Sequence, residues 1–188
     1  MSSLPPILQL LVAAVALVAG AYDILYRRIP NWLVLAALLL GFLLNGFLYL
    51  GEGLLSSALG MGLALLIYLP LYMLRGMGGG DVKLKAALGA LVGPANWLFI
   101  FIISALLGGI LAVILTLAKG RFLKTIRNLG FMLWEMAHLR PPHLRSEELD
   151  IQSPKAVKLP HGAVIALGCM AFLGTGALLC GQAIQFGP

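Results

Sequence analysis

Apolar residues dominate the chain in long runs, at about residues 4–22, 31–50, 54–74, 82–92, 95–118 and 161–184. Stretches such as Leu33–Leu40 and Leu98–Ile103 are apolar on every face, which suits helices in lipid rather than the alternating strands of a β-barrel. Most runs reach the ~20 residues needed to cross ~30 Å of hydrocarbon. Polar punctuation separates them: "RRIPN" at 27–31, "GEG" at 51–53, "RGMGGGD" at 75–81, "GP" at 93–94 and a longer polar insert at 119–160. The pattern predicts an all-α, polytopic membrane protein, with six transmembrane helices in a single domain over 1–188.

Composition supports this class. Of the 188 residues, 61% are hydrophobic and 11% charged, whereas soluble domains carry about 25% charged residues. The formal charge of +6 is read here as orientation in a bilayer, not as nucleic-acid binding. All thirteen Lys and Arg fall in three groups: Arg27 and Arg28; Arg75, Lys83 and Lys85; and the remainder in the insert. Six crossings put all three groups on one face and leave only Glu52 in the opposite loops. The positive-inside rule makes the basic face cytoplasmic, with both termini outside.

That topology constrains the fourth run. As a helix, 82–92 spans about 16 Å, too short to cross alone. A continuous helix over 82–118 is broken by Gly93-Pro94. The expectation is a re-entrant glycine loop at 76–80 that dips below the cytoplasmic surface, placing Asp81 at the head of a short helix beside a polar cavity.

In the insert, Phe122, Ile126, Leu129, Leu133 and Met136 recur at helical spacing, an amphipathic helix lying on the cytoplasmic leaflet. Glu135, His138 and His143 match no strong metal template, so no metal or cofactor is expected. Cys169 and Cys180 lie about 16 Å apart on one helix and cannot pair within it. The Ala19-x-Ala21 pattern resembles a signal-peptidase site, but its charges are reversed: none precedes the apolar run, and Arg27 and Arg28 follow it. The first run therefore reads as a permanent helix.

Two acidic residues, Asp23 and Asp81, come at the membrane boundary on the same side. Each has a structural explanation: Asp23 as an i+4 partner of Arg27, Asp81 as a helix N-cap. Ionisable groups at membrane depth are expensive and are usually functional. Two carboxylates held close together do not both ionise readily, so one keeps a proton. The charged one can then take a proton from water while the protonated one hydrogen-bonds a scissile carbonyl. Gly78, Gly79 and Gly80 permit unusual backbone angles and close approach of an extended substrate strand. Lys83 and Lys85 read as side chains that snorkel to the surface, with Lys83 able to bias the charge of the pair.

"D…RRIPN" after the first helix, "GMGGGDVKLKAALG" at 76–89 and "KLPHGAVIALG" at 158–168 together resemble the signatures of type IV prepilin peptidases, intramembrane aspartyl proteases with a G-x-G-D motif. The resemblance implies six helices, Asp23 and Asp81 as catalytic residues, and Gly78, Gly79, Gly80, Lys83, Pro30 and Asn31 as supporting or substrate-binding positions. It implies a prepilin or pseudopilin substrate with an apolar helix and a basic leader, cut at the cytoplasmic face of a bacterial or archaeal inner membrane. The acidic "SEELD" at 146–150 is a candidate contact for that leader. Paired Cys-x-x-Cys motifs are absent from the sequence, so the chain looks like the short, peptidase-only kind associated with tight-adherence (Flp-type) pili, without pilin methylation. Self-association is left open.

Three other readings compete. Presenilin-like G-x-G-D proteases have a Tyr-Asp pair, as in Tyr22-Asp23, but also a Pro-Ala-Leu motif that is missing here. A small proton-coupled transporter would use the same aspartates as proton carriers. A non-catalytic assembly subunit would use small-residue contacts such as Gly89-x-x-x-Gly93.

Overall fold

The computed structural model describes residues 4–73, 77–120, 123, 125–127, 130, 134 and 161–185, with side chains described as far as Thr175 in the last stretch. These residues form four long helices: α1 (Pro6–Tyr26), α2 (Asn31–Met73), α3 (Gly79–Ala118) and α4 (His161–Gln185). Three of them, α1, α2 and α3, are long and apolar enough to cross a membrane. The amphipathic helix expected in the insert falls largely outside the described residues, as do His138, His143 and "SEELD"; Leu123, Ile126 and Trp134 are helical and exposed.

Both α2 and α3 are folded back on themselves. Leu50 leaves helical geometry at φ 54°, ψ −133°, and Ser57 Oγ reaches Gly41 O at 3.4 Å. Sixteen residues would span about 24 Å along a straight helix, so 31–49 and 51–73 are antiparallel arms. The same happens at Gly93, with φ 75° and ψ 172°: Trp97 Nε1 donates to Lys85 O at 3.0 Å. The left-handed turn needs glycine, and Pro94 cannot donate to the preceding turn.

Side-chain amides repair the interrupted backbone there. In an unbroken helix Ala90 O would accept from residue 94, which is proline. Asn45 Nδ2 donates instead, to Ala90 O at 3.1 Å and Leu91 O at 3.2 Å. Asn96 Nδ2 donates to Val92 O at 3.2 Å.

The first arm of α3 is the centre of the bundle. From Leu84 to Gly93 every residue is buried, the pattern of a helix enclosed on all sides. Its contact with α2 is backbone on backbone: a Cβ at Gly60 would overlap the Gly89 carbonyl, and one at Gly89 would overlap that of Gly60. Small residues allow this approach. A second small-residue seam joins α1 to α4, where a Cβ at Gly20 would lie 2.9 Å from Ala166 Cβ.

On α1 the buried positions are Leu8, Val12, Val15, Ala16, Ala19, Gly20 and Asp23. This is one helical stripe, and Asp23 is its last member. The chain thus carries a carboxylate into the interior at the end of an apolar face.

Candidate active site

The end of α1, the end of α2 and the first turns of α3 and α4 converge, and both aspartates lie there. Asp23 is 8% exposed, and its Oδ2 accepts the Gly162 backbone N–H at 2.7 Å. That donor belongs to the first turn of α4, where backbone N–H groups have no partner within the helix. The α1–α4 seam is tight enough that a Cβ on Gly162 would sit 2.8 Å from Asp23 Cβ. The Arg27 N–H closes the helix onto Asp23 O at 3.0 Å, with Arg27 in the left-handed region.

Asp81 lies in the first turn of α3, within electrostatic range of His161, Lys85 and Asp23. The helix begins at Gly79, with Gly78 extended as its N-cap at φ −72°, ψ 141°. Gly79, Gly80 and Asp81 are therefore helical, where the sequence suggested a loop to 80 and a helix from 82. None of the three glycines has a positive φ; two of them serve close packing. A Cβ on Gly79 would come within 3.2 Å of the Tyr72 ring, and one on Gly80 within 3.4 Å of Ile29 Cβ.

The supporting positions are also resolved. Pro30 O accepts Val34 N at 3.4 Å as α2 begins, and Lys83 Nζ donates to Asn31 Oδ1 at 3.4 Å, tying the start of α3 to the start of α2. Lys83 is exposed, as expected of a snorkelling side chain.

Lys85 is not. It is 9% exposed, its ammonium stands 3.5 Å from the centroid of the Tyr68 ring, and it approaches Met77 Sδ at 3.9 Å. Two residues beyond Lys83, it points to the opposite side of the helix, into the bundle. The readable signal was its spacing from Asp81: an acid followed by a base at i+4 shares one helix face. His161 and Gly162, within the "KLPHG" segment, were likewise not singled out, because their partners are 80 and 139 positions away.

Among the described residues no group of three or more His, Cys, Asp or Glu is arranged to hold a metal ion. Cys169 is buried and unpaired by disulfide.

The model of the type IV leader peptidase family matches residues 10–113. The chain belongs to that family. Over 101 residues it is 34% identical to a prepilin leader peptidase/N-methyltransferase of Neisseria gonorrhoeae. The match covers 50% of this chain and 35% of that relative. No solved structure matches. The matched residues include Asp23 and Asp81, and membership of a peptidase family does not favour the transporter reading.

Proposed function

We propose that this chain is a membrane aspartyl endopeptidase that removes the leader peptide from prepilins or pseudopilins at the cytoplasmic face. One observation carries the reading: Asp23 and Asp81, from different helices, lie within electrostatic range of each other at one end of the bundle, in a family of leader peptidases.

In this reading the pair holds one proton. The Gly162 N–H fixes the Asp23 carboxylate through Oδ2. The ionised aspartate takes a proton from water as the oxygen attacks the scissile carbonyl, and the protonated one donates to the developing oxyanion. Collapse of the tetrahedral intermediate breaks the C–N bond. The proton taken from water passes to the leaving amine.

The arms of α2 and α3, with α1 and α4, supply six crossings. The basic groups beside the site support a cytoplasmic position for it, with both termini outside. The first arm of α3, 79–92, spans about 21 Å, so its head is recessed below the surface, and Met77 and Gly78 follow it inward. An extended precursor segment is taken up beside Gly78.

Purified protein should cleave a pilin precursor, and Asp23→Asn and Asp81→Asn should each abolish cleavage while helical content and thermal unfolding stay unchanged. Retained cleavage by either variant removes the two-aspartate mechanism.

A further inference from the structure

We propose that Lys85 is a positioning residue, its caged ammonium serving as the fixed counter-charge of the Asp23–Asp81 pair. The inference rests on the proposed protease reading and adds a member to its site. A lysine in the most buried arm of the molecule is costly unless its charge is matched. Three features match it. The Tyr68 ring face lies 3.5 Å from Nζ, a close cation–π contact that strengthens when desolvated. Asp81 precedes Lys85 by one turn, on the same face of α3. The cavity beside it, lined by Tyr68, Lys85, Trp97, Phe101 and Ser104 among others, has a volume of ≈ 10 Å³, at the lower limit for a single water. The charge is therefore answered by the protein rather than by solvent.

The cage is rigid. Trp97 Nε1 is bonded to the carbonyl of Lys85 itself at 3.0 Å, Trp97 stacks on Phe101 with centroids 5.7 Å apart, and Tyr68 meets both edge-on, at 6.1 and 5.8 Å. The fold-back at Gly93 thus builds a wall that holds the lysine next to the site.

Every element packed on the start of α3 contributes a titratable group near Asp81: Asp23 from α1, Tyr68 from α2, His161 from α4, and Lys85 from α3 itself. His161, the first residue of α4, is exposed to solvent, whereas a charge enclosed in the bundle is little screened. Lys85 is the enclosed cation among these groups. A pair of carboxylates carrying one proton has a charge of −1, which Lys85 offsets. Without it the pair takes up its second proton at higher pH, and the base is lost.

The test uses Lys85→Met and Lys85→Arg in the full-length protein in detergent or lipid. In Lys85→Met, the acid limb of the pH–rate profile moves up by about one unit, so that kcat measured on that limb falls about tenfold with KM little changed. Lys85→Arg recovers most of both. Infrared titration of the protonated-carboxyl band, assigned by its loss in Asp81→Asn, shifts the same way and needs no substrate. An unmoved band and acid limb in folded Lys85→Met overturn the proposal, whatever happens to kcat. A shifted band in a protein that cleaves no precursor upholds the counter-charge and sinks the protease reading instead.

Discussion

At the scale of single residues, the site depends on a hydrogen bond between distant parts of the chain. The Gly162 N–H holds Asp23, and glycine is required because any Cβ there would press on the Asp23 side chain at 2.8 Å. The nearest atom, Asp23 Cβ, is not the end of a flexible side chain, so a methyl group must push α4 away from α1. Gly162→Ala is expected to lower kcat at saturating precursor by about tenfold or more, as small misplacements of catalytic groups do. Thermal unfolding should change little, since the substitution lies at a helix end; equal losses in both would make Gly162 a packing residue only. Asp23 and Asp81 stand out in the sequence because charge in an apolar background is conspicuous. Lys85 was misjudged for the same reason. Next to Lys83 it looked like a second surface anchor, and only the direction of its side chain separates the two.

At the scale of elements, the breaks explain the architecture. Gly93-Pro94 was readable as a helix breaker, and the chain does fold back there. The other reversal came at Leu50, one residue before the expected "GEG" and in a backbone region that favours glycine. What was not readable is the repair at Gly93. Asn45, in a run otherwise apolar, caps the carbonyls of Ala90 and Leu91 across the bundle, 45 and 46 positions away. Asn45→Leu should therefore destabilise the protein by about 1–3 kcal/mol, the cost of leaving buried carbonyls unsatisfied, even though it makes the arm more apolar. An unchanged or raised unfolding temperature in detergent would show that the amide does not carry that role. The glycine string gave a similar lesson. Its glycines were expected to supply unusual angles, yet Gly79 and Gly80 are helical and serve close approach to Tyr72 and Ile29.

For the whole molecule, the end of the bundle that gathers Asp23, Asp81 and His161 is also the end flanked by Arg27, Arg28 and Lys83. The proposed orientation follows from that coincidence. Single cysteines at position 28, beside the site, should react with a membrane-impermeant reagent only when the cytoplasmic side is opened. A cysteine at position 51, by the Leu50 reversal, should react from the opposite side. Labelling of both from one side would overturn the six-crossing topology. A cysteine at 78 should label more slowly than one at 28 if the head of α3 is recessed.

The sequence alone determined the helical membrane class, the placement of the breaks at 27–31 and 93–94, and the two carboxylates. These follow from hydropathy, backbone sterics and the cost of charge in lipid, all of which act locally and can be read along the chain. Tertiary structure decided which groups surround those carboxylates. Gly162 reaches Asp23, Asn45 reaches Ala90, and Lys85 turns inward onto Tyr68 because helices cross where glycine and alanine let them touch. Such crossings depend on the shapes of two distant surfaces at once, and a linear pattern records each surface without recording which other one it meets.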